Sequence, residues 1–96
     1  MIYFAENDKK VGACSYCIYQ SEDGKCFILD FWIFPHFRGS GVGHRCFKAL
    51  EAHTKNDGAK YYELNSAKED SIRFWISNGF VENGRDEYGE KLFIKR

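Results

Sequence analysis

Along the first third of the chain, short runs of apolar and aromatic residues alternate with clusters of turn formers. Ile2–Glu6 (IYFAE) gives way to the polar turn NDKK at 7–10, and then to an extended stretch at 11–20 (VGACSYCIYQ). The cluster SEDGK at 21–25 carries Asp23-Gly24 at its tip, a dipeptide that accepts the backbone angles of a hairpin turn. CFILDFWIF at 26–34 reads as a third strand. Its near-continuous apolar character predicts burial on both faces, as for a central strand covered by helices. Two hairpins in succession predict an antiparallel meander.

The rhythm then changes. Pro35 ends the third strand, and the loop PHFRGSG at 35–41 opens into a segment where Val42, Cys46, Phe47, Leu50 and Thr54 recur at helical spacing. Asn56-Asp57-Gly58 supplies its stop signal. KYYELNS at 60–66 reads as a short strand and KEDSIRFWISNG at 68–79 as a second helix, capped by Asp70 or Ser71 and closed by Gly79. The remaining FVENGRDEYGEKLFIKR forms a hairpin. The predicted order is β-β-β-α-β-α-β-β in a single domain over 1–96: an α/β (α+β) fold with a mixed central sheet. The unit from Phe27 to Leu64 has the length of a parallel crossover. It places the loop 35–41 at the carboxyl end of a central strand, where open α/β sheets bind ligands.

Composition narrows the function classes. The chain has 96 residues, 44% hydrophobic and 18% aromatic, which excludes disorder. Lys plus Arg (14) balances Asp plus Glu (14), so no basic field exists to hold a nucleic-acid backbone. The longest apolar run falls short of the roughly 20 residues that span a bilayer, and the first ten residues lack the pattern of a secretory signal. We expect no nucleic acid, no membrane and a cytoplasmic setting. Cys14, Cys17, Cys26 and Cys46 contain only one short C-x2-C spacing, where a structural zinc site pairs two. Cys14 and Cys17 also fall on opposite faces of a strand. No metal is expected, and the cysteines read as thiols.

The chemistry concentrates in Arg38-Gly39-Ser40-Gly41-Val42-Gly43-His44. Glycines between a strand and a helix let a ligand approach the main chain. The free N–H groups and dipole of a helix start attract phosphate oxygens, and Arg38 adds a cation. A pyrophosphate suits such a loop; the alternative is a turn that needs glycine merely to turn. Neither standard phosphate motif fits: no lysine follows as in a P-loop, and Cys46 stands where a dinucleotide fingerprint needs its third glycine.

Arg38–Gly43 matches [QR]-x-x-G-x-[GA] and resembles the signature of the GNAT superfamily of acyl-CoA N-acyltransferases. Residues 30–39 (DFWIFPHFRG) are similar to that family's strand leading into Pro, an aromatic and Arg-Gly, and 71–80 (SIRFWISNGF) to its second block. The resemblance covers nearly the whole chain. It implies that the amides of Arg38, Gly39, Ser40, Gly41, Val42, Gly43 and His44 hold the pyrophosphate of acetyl-CoA, and that the pantetheine arm pairs with a splayed strand around Trp32, Ile33 and Phe34. The acceptor it implies is a primary amine, on a small molecule or a peptide, which attacks the thioester directly.

Asp30 is the leading candidate base, because it interrupts an apolar strand and a carboxylate kept dry holds its proton more tightly. Its alternative is a solvated Asp on a partly open strand. Glu63, on the neighbouring strand, is the second acid. A general acid is harder to place: Trp75 stands where the family often has tyrosine, and Tyr61, Tyr62 and Tyr88 are equal candidates. Lys68 departs from a common asparagine. Of the histidines, His36 lies beside the expected cleft, His44 contributes its backbone N–H, and His53 sits at a helix edge. The family usually begins with one more strand and two helices that wall the acceptor site. Three expectations therefore compete: a homodimer through Tyr3, Phe4, Tyr16 and Tyr19, a bulky acceptor in an open cleft, or a non-catalytic coenzyme A-binding or interaction module.

Overall fold

The computed structural model describes residues 1–96. Strands β1 (Ile2–Glu6), β2 (Lys9–Tyr19) and β3 (Lys25–Ile33) form the meander, and helix α1 (Val42–Asn56) crosses to β4 (Tyr61–Asn65). Helix α2 (Glu69–Ser77) leads to the closing hairpin of β5 (Val81–Arg85) and β6 (Lys91–Lys95). The observed order is the predicted β-β-β-α-β-α-β-β. One sheet of order β1-β2-β3-β4-β6-β5 results, mixed because β3 and β4 run parallel across α1 while the other pairs are antiparallel.

The helix boundaries follow local chemistry. Helix α1 stops at Asn56, with Gly58 at φ +99° just beyond it. Helix α2 closes with Gly79 at φ +95° and a bond from the Phe80 N–H to the Trp75 carbonyl at 3.1 Å, the left-handed termination that glycine permits. Its start differs from expectation. Lys68, in extended conformation, occupies the N-cap position and no side chain caps the helix, so Asp70 and Ser71 lie inside the first turn. There Asp70 pairs with Arg73, and its charge still complements the positive end of the helix.

Both helices pack on one face of the sheet. Phe47 of α1, fully buried, touches the rings of Phe31, Tyr62, Trp75 and Phe80 at centroid distances of 6.5, 5.9, 5.5 and 5.5 Å. Phe31 of β3 in turn meets Phe74 and Trp75 of α2. Truncating such a ring costs about 3–5 kcal/mol, a large share of the ~5–15 kcal/mol that holds a domain together.

The expectation that β3 is buried on both faces is overturned. Leu29 is 59% and Trp32 37% exposed, and Asp30 is exposed as well. No helix covers the second face. The apolar run instead reflects a β-bulge: Ser15 faces Asp30 and Tyr16 faces Ile28, which leaves Leu29 without a partner. The bulge turns both Ile28 and Phe31 toward the helices although three positions separate them, so the period of two is lost from the sequence. The aromatic positions expected at a dimer surface also divide. Phe4 is buried and Tyr16 is half-buried against the core, whereas Tyr3 and Tyr19 are exposed.

Candidate functional site

The bulge that redirects β3 also opens the sheet. Pairing between β3 and β4 runs only from Lys25–Tyr61 to Phe27–Glu63. Farther on, Leu64 and Asn65 pair with β6 alone, and the end of β3 pairs with β2 alone. A bulged strand bends and twists more strongly, and here the two strands part. A cleft of about 1000 Å³ follows the gap, near the upper end for small-molecule sites. Phe31, Trp32 and Ile33 line it from β3; Arg38, Gly39, Gly43 and His44 from the loop and α1; and residues 68–71, Phe74 and Trp75 from α2.

The main chain of β3 presents hydrogen-bonding groups to this gap. The Phe34 N–H donates to the Val11 carbonyl at 2.9 Å, toward β2. Alternation along a strand turns the N–H and C=O of Ile33 and Phe31 the other way, where no strand meets them. Arg38 occupies one of these groups, its Nε donating to the Ile33 carbonyl at 2.9 Å. The groups free to meet an extended ligand are therefore the Ile33 N–H and both groups of Phe31. Phe34 faces β2 and lies outside the cleft lining. Phe31 was not among the sequence candidates, because the bulge that aims it cannot be read from apolar spacing.

The loop is a run of left-handed residues: Gly39 at φ +94°, Ser40 at +53° and Gly41 at +75°. For a serine that conformation costs roughly 1–2 kcal/mol. Of the amides from Gly39 to His44, only that of Val42 donates to a backbone carbonyl, Gly39 at 3.3 Å. Gly41, the N-cap residue, brings no capping side chain. The N–H groups of Gly39, Ser40, Gly41, Gly43 and His44 thus lack a protein acceptor, at the positive end of a 15-residue helix. A second unpaired set, the amides of Glu69, Asp70 and Ser71, lies across the cleft at the start of α2. Backbone donors from two helix starts, with Arg38 and Lys68, suit an anion, and the carboxylates of Glu69 and Asp70 line the same cleft at the start of α2.

The glycines divide the work. Gly39 and Gly41 supply backbone freedom. Gly43 serves packing: a Cβ there would stand 2.7 Å from Cε1 of Phe74. Val42 is buried in the core, and Ser40, Gly41 and Val42 are not among the residues that line the cleft. His44 does more than lend an amide. Its Nδ1 pairs with Oδ1 of Asn78 at 3.0 Å and its ring packs on Phe74, tying α1 to the end of α2.

Asp30 sits at the bulge, exposed, so the dry apolar setting expected for it is absent. Glu63 forms the last β3–β4 pair with Phe27, half-buried, 3.7 Å from Lys25 Nζ. Neither lines the cleft. Tyr61 donates to the Glu22 carbonyl at 2.9 Å, and Tyr88 is exposed in the β5–β6 turn. Tyr62 is buried, its hydroxyl 2.7 Å from Thr54 Oγ1, and burial pushes its pKa up. None of the three tyrosines reaches the cleft, whereas Trp75 both packs in the core and lines it. His36 is exposed with its ring against Phe37, and His53 stands exposed near Asp57 at the outer edge of α1. Burial raises the thiols of Cys14 and Cys26 to about 12 and that of Cys46 to about 11, so these are protonated, inert groups.

Comparison with known proteins agrees with this fold. The family described as "Acetyltransferase (GNAT) family" matches residues 1–80. No curated protein matches the chain. Among solved structures, the PaiA N-acetyltransferase of Thermoplasma acidophilum, in complex with coenzyme A, is similar over 97% of this chain and 57% of its own, with TM-score 0.77 and 20% identity. Tetrahymena GCN5 is similar over 97% of this chain and 64% of its own, with TM-score 0.81 and 16% identity. N-acetylglutamate synthase from Neisseria gonorrhoeae, complexed with coenzyme A and N-acetyl-glutamate, gives TM-score 0.77 at 13% identity, over 98% of this chain and 24% of its own. At such identities the likeness shows the fold, and the chain spans less than two thirds of each of these proteins.

Proposed function

The chain belongs to the GNAT acetyltransferase family, and from that premise we propose that it moves an acetyl group from acetyl-CoA to a primary amine. The observation that carries the reading is the set of unpartnered amides of Gly39, Ser40, Gly41, Gly43 and His44, gathered at a helix start beside a parted strand pair. In this reading the amides and Arg38 bind the pyrophosphate, and the free groups of Phe31 and Ile33 hydrogen-bond the amides of the pantetheine arm. That arm adds to the sheet edge as an extra strand would. The thioester then lies along the gap.

The reaction needs no protein nucleophile. The neutral amine attacks the thioester carbonyl carbon, a C–N bond forms, the C–S bond breaks, and coenzyme A leaves as a thiolate. Asp30, solvated at the bulge, accepts the amine proton through water, and Glu63 lies on the adjoining strand. No tyrosine reaches the cleft to reprotonate sulfur, and the Trp75 indole is too weak an acid to do so. The thiolate then takes its proton from solvent, which an ordinary thiol pKa permits. The uncovered sheet face leaves the acceptor side open, which suits a peptide amine or completion of the site by a second copy in a homodimer.

A second reading draws support from that lack of a cleft tyrosine: the domain binds coenzyme A without turnover. Transfer of labelled acetyl from acetyl-CoA to a panel of small and peptidyl amines separates the two. An enzyme shows transfer that Gly41→Val abolishes, and Asp30→Asn lowers kcat with KM for acetyl-CoA unchanged. Binding of acetyl-CoA with no transfer to any amine assigns the chain to the second reading.

A further inference from the structure

The left-handed loop does not stand alone. Arg45, on the first turn of α1, donates from Nη1 to the Ser40 carbonyl at 2.7 Å. The same guanidinium makes a fork to Glu6 of β1, Nε to Oε2 at 2.8 Å and Nη2 to Oε1 at 3.0 Å. A bidentate pair of this kind fixes the plane of the guanidinium as well as its position. Both side chains lie outside the cleft, along the groove between β1 and α1.

A trans peptide sends its carbonyl and the next N–H in opposite directions. Anchoring the Ser40 carbonyl on Arg45, on the side away from the cleft, therefore turns the Gly41 N–H away from Arg45. It also holds Ser40 at φ +53°, a conformation serine leaves readily when nothing restrains it. The geometry points to Glu6 and Arg45 as positioning residues: Glu6 orients Arg45, and Arg45 sets the loop amides that receive the coenzyme's pyrophosphate. The inference rests on the acetyl-CoA reading for its ligand, and on the loop alone for its geometry. It assigns Arg45 a mechanical role rather than a direct contact with phosphate, because its charge is committed to Glu6 and it does not line the cleft.

Amide-resolved NMR spectra of the wild type, Glu6→Ala and Arg45→Lys, recorded with and without coenzyme A, test it. Lysine keeps the charge but cannot span Glu6 and the Ser40 carbonyl together. Without ligand, both variants shift the amides of Gly39, Ser40, Gly41 and Gly43 and speed their hydrogen exchange, while the remaining spectrum reports an intact fold. With ligand, both weaken coenzyme A binding by about tenfold. In turnover, KM for acetyl-CoA rises and kcat holds. Unchanged loop amides in both variants overturn the inference. So does coenzyme A binding in Glu6→Ala as tight as wild type or tighter, which marks Arg45 as a direct anion ligand released by losing its partner. Failure of the wild-type loop to respond to coenzyme A sinks the acetyl-CoA reading instead, and the ligand-free spectra still decide the brace.

Discussion

Replacing Gly43 by alanine sets two ordinary effects against each other. Alanine favours a helix over glycine by about 1 kcal/mol at an interior site, and by less in the first turn. Against that, the new Cβ would stand 2.7 Å from Cε1 and 3.2 Å from Cζ of Phe74, where carbon contacts settle near 3.5–4.0 Å (about 1 Å farther). The ring has little room to retreat, with centroids of Trp75 at 4.9 Å, His44 at 5.4 Å and Phe31 at 5.6 Å. Overpacking of this kind costs about 1–3 kcal/mol, so the clash wins by about 1 kcal/mol. For a domain of this size that lowers the melting temperature by about 4–8 °C. Because Phe74 also lines the cleft, acetyl-CoA binding weakens in the same variant. Circular-dichroism melts of Gly43→Ala, Phe74→Leu and the double variant measure the effect. The smaller, flexible leucine relieves the contact, so alanine at 43 costs little in that background. An alanine variant that melts at or above the wild-type temperature refutes the packing argument, as does an equal loss in both backgrounds.

Four further outcomes follow from the same structure. At pH 8 in the native state, iodoacetamide modifies the exposed Cys17 and spares Cys14, Cys26 and Cys46, as intact-mass analysis before and after denaturation shows. Those three thiols hold their protons above the usual 9.0, so the stability they contribute is complete below that pH and declines as pH rises past it, where the unfolded chain ionises first. On the acid side, the hydrogen bond and charge of Arg45 hold the Glu6 carboxyl below its usual 4.5. The pair's contribution is present above that value and lost as pH falls through the lowered one, so stability curves of wild type and Glu6→Gln differ near neutrality and converge in acid. Finally, Thr54→Val removes the hydroxyl that joins Tyr62 OH and the Leu50 carbonyl, each at 2.7 Å, and costs about 1 kcal/mol by urea titration. Tyr62→Phe adds less in that background than alone, since the two hydroxyls share one bond.

What the sequence made legible was whatever depends on neighbours along the chain. Element order, the Asp57-Gly58 and Gly79 stops and the glycine-rich loop all rest on local backbone preference, and each stands where its residues placed it. What stayed hidden depends on partners far away. Leu29 looks like one more core residue in CFILDFWIF; only the register against Ser15 and Tyr16 shows it to be the extra residue of a bulge. The same bulge parts β3 from β4 and aims Phe31 into the cleft. Gly43 carries no mark that distinguishes a glycine for packing from a glycine for phosphate. Glu6 and Arg45 lie 39 residues apart, and nothing local announces that they meet. Asp30 misled for a related reason: an acid in an apolar strand implies burial only if both faces are covered, and one face here is open.

In the proposed reading, the amides from Gly39 to His44, with the gap between β3 and β4, bind the pyrophosphate and pantetheine arm of acetyl-CoA. Calorimetric titration of the protein with acetyl-CoA, run beside Gly41→Val, measures that binding. One-to-one binding with micromolar affinity is expected in the wild type and none in the variant, whose side chain clashes with the left-handed backbone that Gly41 adopts at φ +75°. An absence of binding by the folded wild type, or binding that Gly41→Val leaves intact, contradicts it.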